Sequence, residues 1–455
     1  MAIDRSRLPF SGPEPVFVFP EIRRRRLPNG LDAWTAVHQE VPLVSVLVLV
    51  RAGAAFDPAD RPGLAAITGD LLDEGCGDLD ALALHETIGR LGAQIDTEAG
   101  ADSTLVGLTA LERSLAASLE LLADMVSRPR METRDFERVR DLRLNRLLQM
   151  REMPPAVADR VFTERLYGAH PYGHLSIGSE SSLKAMDVGE ARSFHQRMYH
   201  PSRVTVIAVG NGSHESLGDS IEAAFGGWHA NPDAPPNVDP ATLPMPPGTT
   251  ELVIVPRTGA PQSELRIGHV GVARTSTDYH ALIALNLVLG GQFVSRINSN
   301  LRERKGYTYG ARTSFEFRRG RGPFALHASV QSDATADAVR EALAELRAIR
   351  EERPVTAAEL ELGRAPLTRG YPRGFETAEQ IGRAIAQIAL YDLPDNYFTT
   401  FVPTVLALTP QDLTRAAVTH IDPSRLLTVV VGDRTRMGAL EDLGFGEPIE
   451  VEAPG

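Results

Sequence analysis

The first half of the chain alternates between two patterns of apolar and polar positions. Short apolar runs are typical of strands, whereas apolar residues three or four positions apart are typical of amphipathic helices. Between strands predicted over 23–27 and 31–37, the residues Pro28-Asn29-Gly30 favour a hairpin turn. This mixture predicts an α+β fold in which a sheet packs against a layer of helices. The other predicted elements are strands near 44–50, 93–99 and 104–110 and helices near 63–73, 79–91, 113–127 and 135–151.

The second half of the chain repeats the first. A Pro-Ser-Arg tripeptide followed by an apolar strand and a glycine spans 201–210 and again 423–432, an offset of 222 positions. The helices that precede the two copies start at Asp187 and Thr409, which are also 222 positions apart. Three matches at one offset indicate an internal duplication. We therefore predict two homologous two-layer α/β sandwich domains, each with a mixed, mainly antiparallel sheet and helices on one face.

A proline-rich stretch separates the two copies. Seven of the residues in 231–248 are proline, and this density excludes a helix or a central strand and is typical of a semi-rigid linker. The prediction is an N-terminal domain over 1–230, a linker over 231–248 and a C-terminal domain over 249–455. A chain of 455 residues has ample length for two such domains, because about 150 residues per domain is usual.

Composition excludes several classes of function. A formal charge of −12 argues against nucleic-acid binding, which needs a basic surface. The single cysteine, Cys76, excludes an internal disulfide and a cysteine-based zinc cluster. No apolar run approaches the roughly 18–20 residues that span a bilayer, so no membrane span is predicted. The N-terminus lacks the apolar core of a signal peptide, so we expect a cytoplasmic protein if this start is native and a periplasmic one if a signal was removed.

The most informative segment lies between 295 and 315. Residues 295–304 have helical character, and 307–315 alternate as in a strand, which places Tyr307 and Tyr309 on one side. Arg302 at the helix end and Tyr309 on the strand, seven residues apart, can both reach one polarised oxygen. A purely structural interpretation stays open, because arginine suits a helix C-terminus and tyrosine suits a strand.

These features resemble the pitrilysin/insulysin family of inverted-motif zinc peptidases. In that family, the matching arginine and tyrosine of the second half contact substrate near the scissile bond, and the tyrosine is thought to stabilise the oxyanion. The resemblance therefore implies catalytic roles for Arg302 and Tyr309. Besides this pair and the duplicated segments, it is carried by Leu27-Pro28-Asn29-Gly30-Leu31, Arg51-Ala52-Gly53-Ala54, Pro62-Gly63-Leu64-Ala65 and His170-Pro171-Tyr172-Gly173.

The zinc motif of the family is absent. Active members carry H-x-x-E-H directly after the Gly-Leu-Ala, whereas this chain has Ala66-Ile67-Thr68-Gly69-Asp70. Ala66 and Gly69 cannot bind metal or take a proton, and Asp70 offers one carboxylate where a catalytic zinc needs about three protein ligands. The third ligand of the family falls near 143–146, which contains no carboxylate. We therefore expect no zinc or other cofactor in this chain.

Other candidate groups have structural interpretations. The pairs His170/His174 and His195/His200 fall in a loop and at a helix end, where scattered histidines seldom converge on a metal. Cys76 lies among acidic residues, which would raise rather than lower its pKa. A group of basic residues suggests either a solvated hairpin face, which we favour, or a cationic wall that attracts acidic peptides. Its members are Arg302, Arg304, Lys305, Arg312, Arg318, Arg319 and Arg321.

The sequence thus predicts half of an active site. The resemblance implies a non-zinc subunit that contributes substrate binding and oxyanion stabilisation to a heterodimeric zinc metallopeptidase. It would be inactive alone, and its homologous partner would carry H-x-x-E-H and the zinc. The expected ligand is a peptide or protein substrate, held in part by strand addition at a sheet edge. The alternative is an inert structural subunit, like the respiratory-complex core proteins of the same family.

Overall fold

The computed structural model describes residues 17–229, 239–248 and 250–454. The first half forms one large sheet, a short two-stranded ribbon and a set of helices. Its strands are β1 (Arg23–Arg26), β2 (Asp32–Val37), β3 (Leu43–Val50), β4 (Gly75–Cys76), β5 (Leu79–Asp80), β6 (Gln94–Ala99), β7 (Thr104–Leu111) and β8 (Val204–Gly210). Its helices are α1 (Leu64–Asp70), α2 (Ala81–Leu91), α3 (Leu115–Ser127), α4 (Thr133–Arg151), α5 (Pro154–Tyr167), α6 (Glu180–Ala185), α7 (Val188–Met198) and α8 (His214–Phe225).

The second half forms a second large sheet with its own helices. Its strands are β9 (Glu251–Pro256), β10 (Gln262–Val270), β11 (Thr308–Phe315), β12 (Pro323–Gln331), β13 (Leu427–Gly432) and β14 (Ile449–Glu450). Its helices are α9 (Tyr279–Leu289), α10 (Arg296–Asn298), α11 (Thr335–Ala348), α12 (Ala357–Thr368), α13 (Ala378–Tyr391), α14 (Tyr397–Ala407) and α15 (Pro410–His420). A π-helical turn, Ser299–Arg304, continues α10.

The two large sheets share one connectivity. The strand order is β1-β2-β8-β3-β7-β6 in the first and β14-β9-β13-β10-β12-β11 in the second. From β2 and β9 onwards the two match, because a parallel pair, β2 with β8 and β9 with β13, is followed by antiparallel neighbours out to the far edge. They differ at the outer strand, where β1 is antiparallel to β2 and β14 is parallel to β9. The repeated glycines, Gly210 and Gly432, end the equivalent strands β8 and β13. The predicted α+β class and the internal duplication are therefore confirmed.

In each half, one helix packs against the sheet of the other half. Helix α13 packs its isoleucines against the first sheet, and a Cβ at Gly382 would lie 3.1 Å from Leu47 Cδ1, so glycine permits this close approach. Helix α5 packs on the second sheet, where Phe162 lies over Gly268. The prediction has helices on one face of each sheet; the structure adds a helix of the opposite half on the second face. This exchange fixes the two halves against each other.

The hairpin at Asn29-Gly30 forms as predicted, with Leu27 N–H donating to Leu31 O at 2.8 Å and Gly30 at φ +90°. The predicted domain limits, 230 and 249, lie outside the described residues, as does most of the linker. Within its described part, Asp239 pairs with Arg319 of the second half at 3.1 Å. In the part of the chain that the structure describes, no helix combines the length and the apolar character that crossing a membrane requires.

Candidate functional site

The positions of the missing zinc motif are closed by packing. Ala66 and Gly69 are buried on α1, and a Cβ at Gly69 would lie 3.5 Å from methyl groups of both Thr97 and Thr104. This face of α1 therefore packs on β6 and β7. Asp57 caps the start of the helix, since its carboxylate accepts the backbone N–H groups of Gly63 and Ala65.

The remaining carboxylate of the motif is held in an ion pair. Asp70 Oδ2 accepts a hydrogen bond of 2.7 Å from Arg143 Nε, and the side chain of Arg143 is only 12% exposed. Arg143 lies on α4, where the resemblance implies the third zinc ligand. A guanidinium at this place repels a metal ion and binds the one carboxylate of the five motif positions. The residues present do not fit a zinc ion, and no group of three or more His, Cys, Asp or Glu among the described residues could hold one.

The histidines and the cysteine have structural environments. His195 Nε2 lies 2.8 Å from the carbonyl of Val126, and burial lowers the pKa of His195 to about 4, so the ring is neutral. His174 Nε2 lies 3.0 Å from Asp57 Oδ2 and supports the cap of α1. Burial raises the pKa of the Cys76 thiol to about 11, which leaves it unreactive at neutral pH.

Tyr309 projects from a β-bulge in the edge strand of the second sheet. Thr308 pairs with Val330 and Ala311 pairs with Ala328, so Tyr309 and Gly310 together face one residue of β12. Thr308 Oγ1 holds the bulge, lying 2.6 Å from the Ser329 carbonyl and accepting Gly310 N–H at 3.1 Å. A bulge turns a side chain away from the regular alternation of the strand. Tyr309 is accordingly 91% exposed, and its hydroxyl has no hydrogen-bond partner among the described residues.

The predicted alternation of tyrosines was wrong for Tyr307. Its ring packs partly buried against the core of the second half, whereas Tyr309 points to solvent. The strand begins only at Thr308, and the extra residue of the bulge shifts which positions face inward. A strict period of two cannot reveal a bulge, so the two tyrosines were assigned to one side.

A buried asparagine that sequence reasoning missed anchors the bulge. Asn298 Nδ2 donates to the Ala311 carbonyl at 2.6 Å, and its Oδ1 accepts Ala311 N–H at 2.9 Å. The amide therefore pairs with β11 as a neighbouring strand would. Its Nδ2 also lies 3.1 Å from Ser295 Oγ and 3.2 Å from the Gln292 carbonyl, which ties the preceding loop to the same point. The sequence around Asn298 gives no sign of this role. The role exists because β11 is the edge strand of its sheet, so the backbone groups of Ala311 lack a neighbouring strand to bond with.

Arg302 lies on the π-helical turn that leads into β11. Lys305 N–H bonds to Asn300 O at 3.0 Å, the wider spacing of a π turn. The guanidinium carbon of Arg302 stands 3.7 Å above the ring of Phe293, and Nη1 lies 3.2 Å from Glu303 Oε1. Its side chain makes no hydrogen bond within the described part of the chain. The structure brings Arg302 and Tyr309 onto neighbouring elements but does not join them by a hydrogen bond.

The basic residues between 302 and 321 do not form the single solvated face that the sequence favours. Arg318 and Arg319 are largely buried, and Arg319 pairs with Asp239 of the linker and with Asp392 of its own half. Arg312, in contrast, has no ion pair or hydrogen bond to any described residue. The other pairings are Arg304 with Glu345, Lys305 with Glu341, Arg318 with Glu316, and Arg321 with the Gly271 carbonyl.

Similar proteins include two that are named as peptidases and one that is named as a subunit of the cytochrome b-c1 complex. A protein of Mycobacterium bovis named an uncharacterized zinc protease is 27% identical over 354 residues, covering 78% of this chain and 80% of that protein. A probable mitochondrial-processing peptidase subunit beta of Arabidopsis thaliana is 22% identical over 63% of this chain and 55% of its own length. Subunit 1 of the bovine cytochrome b-c1 complex is 23% identical over 60% of this chain and 56% of its own length.

Solved structures share the fold. A crystal structure titled peptidase M16 inactive domain, from Pseudomonas fluorescens, matches 94% of this chain and all of that chain, with a TM-score of 0.84 and 22% identity. A protease structure from Helicobacter pylori matches 91% of this chain and all of its own, with a TM-score of 0.85 and 20% identity. At these identities the likeness concerns the fold alone.

Two family profiles divide the chain between them. The profile described as Insulinase (Peptidase family M16) matches residues 35–178. The profile described as Peptidase M16 inactive domain matches residues 185–367, which include Arg302 and Tyr309. Together they cover well over half of the sequence, and the duplicated fold agrees with them. The chain belongs to the M16 family of peptidases, the pitrilysin/insulysin family that its motifs resemble.

Proposed function

We propose that this chain is the non-zinc subunit of a heterodimeric zinc metallopeptidase. It contributes peptide binding and oxyanion stabilisation, while a homologous partner with H-x-x-E-H holds the zinc and supplies the hydrolytic chemistry. The observation that carries this proposal is the exposure of Tyr309 and the absence of a hydrogen-bond partner for its hydroxyl among the described residues. A tyrosine that is 91% exposed on a bulge, with no partner for its hydroxyl among the described residues, is available to a ligand.

Tyr309 can act as a hydrogen-bond donor to a peptide carbonyl. Its phenolic O–H can donate to the oxygen on which negative charge develops during attack. Such a bond strengthens as the charge grows, and it therefore stabilises the transition state more than the bound substrate. The bulge supports this role because Thr308 and Asn298 hold the backbone on both sides of Tyr309.

Arg302 can hold the peptide next to that carbonyl. Its guanidinium rests on Phe293, an orientation that keeps the planar group in place without using its N–H donors. Nη1 faces Glu303 Oε1 at 3.2 Å, and the other N–H groups of the guanidinium have no acceptor among the described residues, so they remain for a substrate carbonyl. A charge-assisted hydrogen bond from arginine is about twice as strong as one between neutral groups.

The first half supports the need for a partner. With Asp70 paired to Arg143 and Ala66 and Gly69 packed on the sheet, the motif positions of this chain do not fit the metal. The similarity to a protein named as a mitochondrial-processing peptidase subunit supports a subunit role within the family.

Reconstitution tests the proposal. The chain and an M16 homologue from the same organism that carries H-x-x-E-H are purified separately, then assayed alone and mixed on an unstructured protein substrate. We expect cleavage by the mixture only, with zinc content that follows the partner in elemental analysis. One zinc per molecule of this chain, or full activity of the partner alone, would contradict the proposal.

The second candidate is a structural subunit of a larger assembly. The similarity to subunit 1 of the bovine cytochrome b-c1 complex favours this candidate. The exposed Tyr309 speaks against it, because a purely structural subunit does not need a tyrosine hydroxyl that is left without a partner among the described residues. Affinity capture from the native host separates the two candidates. A zinc-motif homologue as the main partner supports the peptidase, and respiratory membrane subunits support the scaffold.

A further inference from the structure

A cavity of about 510 Å³ lies beside the bulge that carries Tyr309. It opens on the face of the second sheet that its own helices leave uncovered. Phe293, on which Arg302 rests, and Gly310 of the bulge form part of its wall. The cavity is thus continuous with the residues proposed to meet the peptide.

Three basic side chains form a row across the floor of this cavity. Arg312 on β11 pairs in register with His327 on β12, which pairs in register with Arg266 on β10. Side chains at paired positions of neighbouring strands project from the same face of a sheet. All three residues line the cavity, so its charge depends on which of them is charged and unpaired.

Arg266 is fully engaged by the protein. Its Nε donates to Asp159 Oδ1 at 2.5 Å, and its Nη1 lies 3.3 Å from Glu264 Oε2. It also donates to the carbonyls of Leu265 at 2.9 Å and Pro155 at 3.1 Å. Glu264, the carboxylate that lines the cavity, is therefore bound to Arg266 and accepts a further hydrogen bond from Ser329. Asp159, which lies on α5, is also bound to Arg266.

His327 adds no charge at neutral pH. Burial, together with the nearby Arg266 charge, lowers the pKa of His327 to about 4. Asp159 Oδ1 lies 3.7 Å from its Nδ1, too far for a hydrogen bond. The ring is a neutral, polar part of the wall.

Of the three side chains in the row, Arg312 is the one that is charged and has no partner among the described residues. Its side chain has no ion pair and no hydrogen bond to any described residue, and it lines both this cavity and a second one of about 800 Å³ that residues of both halves enclose. Three residues of extended chain separate it from Tyr309, a distance of about 10 Å. A peptide with its reacting carbonyl at Tyr309 therefore presents side chains to Arg312 within about three residues of that bond.

We propose that this cavity is a subsite for an acidic side chain of the peptide, with Arg312 as its counter-charge. The inference rests on the proposed function only in taking a peptide as the ligand. Glutamate or aspartate completes the one unpaired cation of the row, whereas lysine would face Arg312 and the already engaged Arg266. Glutamine can accept a hydrogen bond but offers no charge, so it should bind more weakly.

Binding of three matched peptides to the full chain tests this subsite. The peptides carry a fluorescent label and differ at one central position, which is glutamate, glutamine or lysine in an otherwise uncharged, extended sequence. Fluorescence anisotropy at low ionic strength should give a Kd for the glutamate peptide about tenfold below that for the glutamine peptide, a ratio equivalent to 1.4 kcal/mol. Added salt should reduce the preference.

Variants identify the residue responsible. Arg312→Gln should abolish the preference for glutamate, and Arg312→Glu should shift it to the lysine peptide. Arg347→Gln is the matched control, because Arg347 is an exposed arginine on α11 with no ion pair to any residue that the structure describes, and α11 packs on the opposite face of the sheet. It should keep the preference unchanged.

Several outcomes would overturn the subsite. These are equal affinities for the glutamate and glutamine peptides, a preference that survives Arg312→Gln, tighter binding of the lysine peptide to the wild-type chain, or no binding of any of the three. The proposed subunit role is judged separately, by whether cleavage requires this chain in the reconstituted mixture. An active mixture without acidic preference would leave that role intact and refute the subsite alone.

Discussion

The two regions that correspond to the functional motifs of the family, one in each half of the chain, have opposite surroundings. In the first half, the positions of the zinc motif are buried against β6 and β7, and the one carboxylate, Asp70, is bound to Arg143. In the second half, Arg302 and Tyr309 have no hydrogen-bond partners among the described residues. The first region has the contacts of a packed interior, and the second has the unpaired donors of a binding surface.

The backbone of the two regions also differs, being regular in the first half and irregular in the second. The edge strand β6 pairs with β7 in unbroken register, whereas the equivalent strand β11 carries a bulge and follows a π-helical turn. Bulges and π turns cost regular hydrogen bonds and are frequent at functional sites. The comparison therefore suggests that irregular backbone persists where side chains must be presented, and the following changes test it.

Removing the amide that holds the bulge should have the largest effect on stability. Asn298→Ala leaves the N–H and carbonyl of Ala311 without buried partners, at a cost of about 2–4 kcal/mol in the free energy of unfolding. Urea unfolding measures it. The control, Asn211→Ala, removes a hydrogen bond to Glu112 near the surface and should cost less than about 1 kcal/mol. Equal costs for the two variants would show that the bulge needs no anchor.

Loss of Arg302 should impair the assembled peptidase without unfolding the chain. Arg302→Ala should lower kcat/KM by about 10- to 100-fold, with much of the change in KM, because a charge-assisted hydrogen bond contributes roughly 1.5–3 kcal/mol. Steady-state kinetics of the reconstituted mixture measures the change. Arg304→Ala is the control, since Arg304 lies on the same turn but pairs with Glu345. Similar losses for both variants would contradict a specific role for Arg302.

The ion pair of the first half should matter little for activity. Asp70 is 43% exposed, so solvent screens its interaction with Arg143, and a double-mutant cycle of Arg143→Leu with Asp70→Asn should give a coupling of about 1 kcal/mol or less. Turnover of the mixture should stay within about twofold. A large loss of kcat in either single variant would mean that the first half still takes part in the chemistry.

Much of the fold could be read from the sequence. The hairpin at Asn29-Gly30 and the repeats ending at Gly210 and Gly432 have local signals that tertiary contacts reinforce. The loss of the zinc motif was also visible, since alanine and glycine cannot bind metal wherever they lie. The sequence did not reveal the ion pair that replaces the site, because Asp70 and Arg143 are distant along the chain.

The candidate site of the second half was less predictable. Asn298 and the inward turn of Tyr307 depend on a bulge and a sheet edge, which periodicity does not encode. Which arginine stays unpaired was also hidden, because the partners of Arg304 and Arg319 lie far away in the sequence. Arg312 differs from them only in its three-dimensional surroundings.

The kinetics of Tyr309→Phe in the reconstituted complex test the central claim most directly. The change removes only the hydroxyl, and loss of one oxyanion donor costs roughly 2.7–4 kcal/mol, so kcat should fall by about 10²–10³ while KM changes less. Tyr307→Phe is the matched control, because that ring packs on the core, and its kcat should stay near the wild-type value. A wild-type kcat for Tyr309→Phe, in a complex shown to be intact, would make this chain a scaffold.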